Sequence, residues 1–225
     1  MPFVIIVVLL LGLFVVPSFW VNAVMRRCRL PADRYTRTGG QTARYLLDRL
    51  GLEEVTTEIT EDGDHYDPLV KAVRLSADNF NGRSLTAVTV AAHEVGHAVQ
   101  DAERFAPLRW RTRLVHWVAP IERIGAGLLM LSPLALLRAP RLAVIGFIGG
   151  LLTLGIGIGV HCLTLPTELD ASFRRALPLL RQHRVLRPED LPRARQLLLA
   201  AAFTYVAAAL QSLLNIARWW AILRR

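Results

Sequence analysis

Lysine is almost absent from this chain: Lys71 is the single one among 27 basic residues, and all the others are arginine. Cysteine is scarce too. Cys28 and Cys162 are the only two, with no C-x-x-C pair, so a structural disulfide is not expected and a reduced compartment fits. Acidic residues number 18, which leaves a net charge of +9. That excess is not spread along a nucleic-acid-binding face. The arginines gather beside apolar runs, where they read as flanks of membrane spans, and no nucleic-acid partner is expected. Met1-Pro2-Phe3 lacks the positive start of a signal peptide. No internal repeat or low-complexity segment is present.

What the chain has in excess is apolar sequence. Hydrophobic residues make up 53% of its 225 residues and the mean hydropathy is +0.36, above the usual balance of a soluble domain. Residues 3–24 are apolar and long enough to cross a bilayer. Arg26, Arg27 and Arg29 follow, so residues 1–25 read as an anchor that leaves Arg26 onward in the cytoplasm. Two further runs, 118–137 and 142–165, are separated by Arg138-Ala139-Pro140-Arg141. They predict a transmembrane hairpin within 114–165. The second run is rich in glycine, which permits close helix–helix contact in lipid, and His161 inside it reads as a packed histidine. Residues 193–223 predict a long helix. Tyr205, Gln211, Asn215 and Arg218 favour its packing on the polar part of the protein, or lying at the interface, over a further span.

Residues 30–113 form the first polar block. Ala43, Leu46, Leu47 and Leu50 at helical spacing predict an amphipathic helix over Gln41–Leu50, ended by Gly51. Val55–Thr60 has the β-branched content of a strand. Val70–Leu75 is expected to pair back on it as a hairpin, and to serve as an edge strand for an extended substrate. A helix then starts near Ser84.

That helix carries the chemistry. His93-Glu94-Val95-Gly96-His97 is an H-E-x-x-H motif. At 3.6 residues per turn, His93 and His97 stand on one face. Two imidazoles so placed can share a metal ion, and the intervening Glu94 can reach a water on it. Leu85, Val88, Ala92, Val95 and Val99 form a core stripe, with Thr86, Thr89 and Gln100 beside the histidines on the other side. Gly96 costs a helix interior about 1 kcal/mol relative to alanine, which suggests a close approach there.

A catalytic zinc site needs a third protein ligand. Glu103 stands where a metzincin places its last ligand, but Gln100 replaces the required glycine. His65, His116 and Glu122 have no supporting pattern. Glu168 and Asp170 remain, although Thr167-x-x-Asp170 also reads as an ordinary helix start. If both runs of the hairpin cross, the chain returns to the face it left, and residues near 168 can meet His93 and His97.

Several blocks together resemble the YugP-like family of neutral zinc metallopeptidases. They are Asn81-Gly82-Arg83-Ser84, the stretch from Ala91 to Gln100, Leu165-Pro166-Thr167-Glu168-Leu169-Asp170-Ala171-Ser172, and the stretch from Thr204 to Leu210. The layout is also similar to the HtpX-type gluzincins, with a membrane hairpin between the H-E-x-x-H helix and a glutamate. The resemblance implies Zn²⁺ held by His93, His97 and Glu168. The HtpX-type aspartate four residues after that glutamate is replaced here by Ser172, and Asp170 is the candidate for supporting the ligands from behind. Tyr205, in the last matching block, is the candidate donor to the oxyanion; the ordinary alternative is a packed tyrosine.

The expected protein is therefore a mainly α multi-pass protein of the cell inner membrane. Its small α+β zincin-like domain is split into residues 30–113 and 166–225. The expected activity is zinc-dependent endopeptidase cleavage at the cytoplasmic face, with Glu94 as base, on a peptide or membrane-protein substrate in contact with the bilayer. The competing expectation is a membrane scaffold or assembly protein that keeps a structural or vestigial zinc site. A small transporter is disfavoured by the scarcity of charge in the spans. Oligomeric state is not legible.

Overall fold

The computed structural model describes residue 16 and residues 19–135 and 138–223. The predicted anchor, residues 1–25, falls mostly outside the described residues. The protein is mainly helical with one small sheet. In chain order it comprises α1 (residues 19–28), α2 (Gly39–Arg49), β1 (Thr56–Ile59), β2 (His65–Asp67), β3 (Ala72–Leu75), α3 (Ala77–Asn81) and α4 (Leu85–Ala102). These are followed by α5 (Ala106–Ala135), α6 (Pro140–Leu169), a π-helical turn (Asp170–Ala176), α7 (Leu177–Gln182), a 3₁₀ turn (Pro188–Asp190) and α8 (Leu191–Leu223).

The chain divides into two compact units. One is built from Ser18–Leu108 and Pro166–Thr204. Its core joins Leu46 and Leu47 of α2, Val73 and Leu75 of β3, Val88 and Val95 of α4, Leu180 of α7, and Leu197 and Leu198 of α8. The amphipathic pattern of α2 produces its inner face, and a capping box between Thr38 and Gln41 starts the helix. Ser84 caps α4 through the Ala87 amide. α4 is buried on almost every side, including the face that carries Thr86, Thr89, His93, His97 and Gln100, while Val99 of the predicted stripe is only half-buried. Polar and apolar faces alike are covered because different segments pack on each.

The sheet differs from the expected hairpin. β1 pairs with β3 in parallel, Thr56 opposite Ala72 and Ile59 opposite Leu75. β2 is a third strand that the turn signal at Asp67-Pro68 hides, and it pairs antiparallel with β3. The order β1-β3-β2 places β3 in the centre, so Val70–Leu75 is not an edge strand. The burial of Ala72, Val73 and Leu75 explains this: the most apolar strand takes the position with two neighbours, and β1, largely exposed, takes an edge.

The other unit is built on Arg109–Leu165 together with α8 from Tyr205 onward. Here α5 and α6 pack antiparallel. Glu122 lies against Gly157, Gly125 against Thr153 and Leu129 against Gly150. A methyl on Gly150 would stand 2.4 Å from Leu129 and 2.9 Å from the Gly125 carbonyl, so this contact needs glycine. Leu142, Ile145, Ile148, Leu152 and Ile156 on α6 are exposed. Among the described residues, the helix from Pro140 to Gln182 is long and apolar enough to cross a membrane, with a mean hydropathy of 2.2 in its most apolar window. It runs unbroken through Pro166, where the sequence suggested a boundary. Thr167-x-x-Asp170 is accordingly not a helix start: Thr167 lies inside α6 and Asp170 opens the π-helical turn. The side chain of His161 is outside what the structure describes.

Candidate metal centre

α4 and the segment that runs from the end of α6 into the π-helical turn meet at Gly96. A Cβ there would stand 2.7 Å from the carbonyl oxygen of Ala171, so the missing side chain is what lets the two backbones touch. The approach brings Glu168 over the two histidines. Its Oε2 lies 3.1 Å from His93 Nε2 and 3.5 Å from His97 Nε2, and the ligand atoms of the three residues all lie within 4.8 Å of one another. All three side chains are buried. Burial pushes the Glu168 carboxyl up, but the hydrogen bonds and charges of His93 and His97 outweigh it and hold the group well below the usual carboxylate range. Two imidazole nitrogens and a carboxylate, desolvated and convergent, can hold a metal ion, and they match the donor set of a three-ligand zinc site with a position to spare.

The far side of each imidazole is occupied. His97 Nδ1 lies 2.9 Å from Gln100 Oε1, and His93 Nδ1 lies 3.2 Å from Ser172 Oγ. Gln100, fully buried, donates through Nε2 to the Thr167 carbonyl (2.9 Å) and to Asp170 Oδ2 (2.8 Å). Asp170 therefore does not touch a histidine. It accepts from Gln100 and from Arg175 Nε, and Arg175 also pairs with Glu103 at 2.8 Å. Burial raises the Asp170 carboxyl, and the bonds from Arg175 and Gln100 more than offset it, leaving a net lowering. Gln100 and Ser172 are the residues that sequence reasoning passed over. In the sequence Gln100 shows only as a neighbour on the histidine face and Ser172 only as a departure from the HtpX-type pattern; no local signal marks either as a partner of a histidine.

The other candidates lie elsewhere. Glu94 is on α4 and buried. Glu103 caps α4 and pairs with Arg175; His65 is in β2, its ring nitrogen 2.8 Å from the Gly63 carbonyl. Glu122 and Tyr205 belong to the other unit, where Arg111 donates to the Tyr205 hydroxyl at 2.9 Å. The side chain of His116, in α5, is not described.

An H-E-x-x-H helix whose two histidines converge on one buried glutamate defines a class, the proteins with a His/His/Glu group able to bind a metal. The chain belongs to the family described as "Putative neutral zinc metallopeptidase", whose model matches residues 3–224. It is also 35% identical over 222 residues to the "Putative membrane protease YugP" of Bacillus subtilis (strain 168), a match that covers 97% of this chain and 95% of that protein. No solved structure matches it.

Proposed function

We propose that this protein is a membrane-bound zinc-dependent endopeptidase that cleaves peptide or membrane-protein substrates at the cytoplasmic face of the cell membrane. The observation that carries the reading is the buried convergence of His93, His97 and Glu168, with Glu94 buried on the same helix next to His93 in the chain. These three residues would hold the ion. Zinc in that place supplies Lewis acidity, polarising the scissile carbonyl and bringing a water's pKa down to about 7. Glu94 takes the proton of the attacking water as its oxygen adds to the carbonyl carbon. Glu94 then passes that proton to the leaving amine as the C–N bond breaks. Each histidine is steadied from behind, His97 by Gln100 and His93 by Ser172. Tyr205 is the candidate donor to the oxyanion, on the strength of its place in a block shared with the family.

The membrane part of the reading rests on α6 and its exposed apolar face, on the glycine-mediated packing of α5 against it, and on the arginines flanking both. On this reading α5 and α6 each cross and residues 1–25 anchor the chain, so residues 30–113 and 166–225 would share one side. The relative's printed name, a membrane protease, points the same way.

The decisive test uses full-length protein in a bilayer or detergent with a model membrane-protein substrate. Glu94→Gln keeps its zinc and loses cleavage by about 10²–10⁴-fold, and Glu168→Ala loses the zinc. Undiminished cleavage by Glu94→Gln would sink the reading. A wild type that holds zinc and cleaves nothing would favour a scaffold with a vestigial site.

A further inference from the structure

Gln100 is fully buried, and both its N–H donors and its oxygen are engaged. A glutamine amide has two N–H donors on nitrogen and acceptor pairs on oxygen. Both neighbours of Nε2 can only accept: one is the Thr167 carbonyl at 2.9 Å, the other Asp170 Oδ2 at 2.8 Å. That same Oδ2 also receives Arg175 Nε at 2.8 Å, so it is held as an ionised acceptor by two donors. Turning the amide over would set Oε1 against two oxygens. Oε1 must therefore face His97, where it lies 2.9 Å from Nδ1. An oxygen can only accept, so Nδ1 must carry the hydrogen, and the lone pair of the neutral ring is left on Nε2, the atom that faces Glu168. The other histidine has no such constraint. Ser172 Oγ, at 3.2 Å from His93 Nδ1, can give or take a hydrogen, so it holds that ring without choosing its tautomer.

We propose that Gln100 is the positioning residue of this centre: it locks His97 as the Nδ1–H tautomer and, through Thr167 and Asp170, fixes the segment that carries Glu168 against the helix that carries both histidines. One side chain thus couples ligands from two segments that lie far apart in the chain, Gln100 and Asp170 being 70 residues apart. The proposal rests on the metal-centre reading above, and it makes the affinity for metal, rather than the fold alone, depend on Gln100. Groups behind a metal-bound histidine commonly set affinity within a 10–100-fold range.

The test measures zinc affinity of the full-length, detergent-solubilised protein by competition with a chromophoric chelator. It also records the visible absorption of the Co²⁺ form and the melting temperature of metal-free protein. Gln100→Met keeps the volume and removes all three bonds; its zinc affinity is expected to fall 10–100-fold, with an altered Co²⁺ spectrum. The double variant Gln100→Glu/Asp170→Asn restores an acceptor for His97 and a donor–acceptor pair between positions 100 and 170. It is expected to recover at least a tenfold part of that loss. A purely structural role lowers the metal-free melting temperature and leaves zinc affinity and the Co²⁺ spectrum of the folded protein at wild-type values, and that result would overturn the proposal. If Gln100→Met does not fold, the double variant decides: wild-type-like affinity supports the coupling, and affinity as poor as that of Asp170→Asn alone overturns it. A wild type that binds no zinc removes the metal-centre reading itself, and the lock with it, an outcome distinct from equal affinities in wild type and variant.

Discussion

An added methyl at Gly96 would sit 2.7 Å from the Ala171 carbonyl, a backbone atom that cannot swing away. Alanine is the better helix former by about 1 kcal/mol, so at an open position Gly96→Ala would stabilise. Here the two segments must part, and overpacking of that kind costs about 1–3 kcal/mol. The overpacking should win, because the offending atom belongs to the backbone and the next residue, Ser172, holds His93. Thermal melts of Gly96→Ala should show a lower midpoint, and titration should show weaker zinc binding, since Glu168 moves with Ala171. A variant as stable as wild type with the same zinc affinity would show that this approach is not required. At this scale the sequence was most legible for His93, Glu94 and His97, because three residues in one turn of helix define their own geometry. Gln100 stands three residues after His97 and was legible as a neighbour. Its role was not, because Thr167 and Asp170 come to it from a segment that no local pattern places there.

Between elements, the tie that joins the start of the polar block to the start of α8 is ionic. Arg34 reaches Asp190 with two hydrogen bonds, 2.7 and 2.6 Å, and Tyr35 adds its hydroxyl to the same carboxylate, which is buried. Burial raises the Asp190 carboxyl, but the bonds from Arg34 and Tyr35 exceed that and leave it below its ordinary value. A carboxylate with a lowered folded-state pKa contributes stability above the unfolded value of about 3.9, and loses that contribution as pH falls through the folded value. Asp190→Asn should therefore melt several degrees below wild type at pH 7, with the gap narrowing below about pH 4; a gap that persists unchanged in acid would rule out the ionic account. Element existence was largely readable, α2, α4, β1 and β3 among them, but not β2. Strand partnership was not: period and β-branching mark Thr56–Ile59 and Ala72–Leu75 as strands, but they carry no sign that β2 lies between them in the chain and that β1 therefore meets β3 in parallel. Pro166 misled for a similar reason. It favours a helix boundary locally, and packing carries the helix through it.

For the molecule as a whole, the chain builds its centre from segments on either side of a helical hairpin, so the metal should act as a fastening between them. A ligand that binds only the folded state stabilises it by about 4 kcal/mol when present at a thousand times its Kd. Stripping zinc with a chelator should lower the melting temperature of wild type, and added zinc should restore it. Glu168→Ala should show neither response. A melting temperature indifferent to both treatments in wild type would mean that His93, His97 and Glu168 hold no ion in solution. The order of apolar and polar blocks is a property of the sequence itself. The completion of the centre by Glu168 needed the family resemblance, because spacing left Glu168 and Asp170 equal until the π-helical turn set one toward the histidines and the other toward Gln100 and Arg175.

That turn has an arithmetic consequence. A π-helix closes its hydrogen bonds one residue further along the chain than an α-helix does, so Asp170–Ala176 behaves as an α-helical stretch holding one surplus residue. Deleting a residue within it would let regular helix run from α6 into α7 with both flanks keeping their facing, because the wider turn has already absorbed the extra residue; the same deletion in regular α-helix would turn everything before it by about 100°. Insertions and deletions are usually tolerated in loops and resisted in cores. Here the surplus residue sits in a core helix, and what its deletion would undo is the local placement of Asp170, Ala171 and Ser172 against Gln100, Gly96 and His93, while α6 and α7 keep their facing.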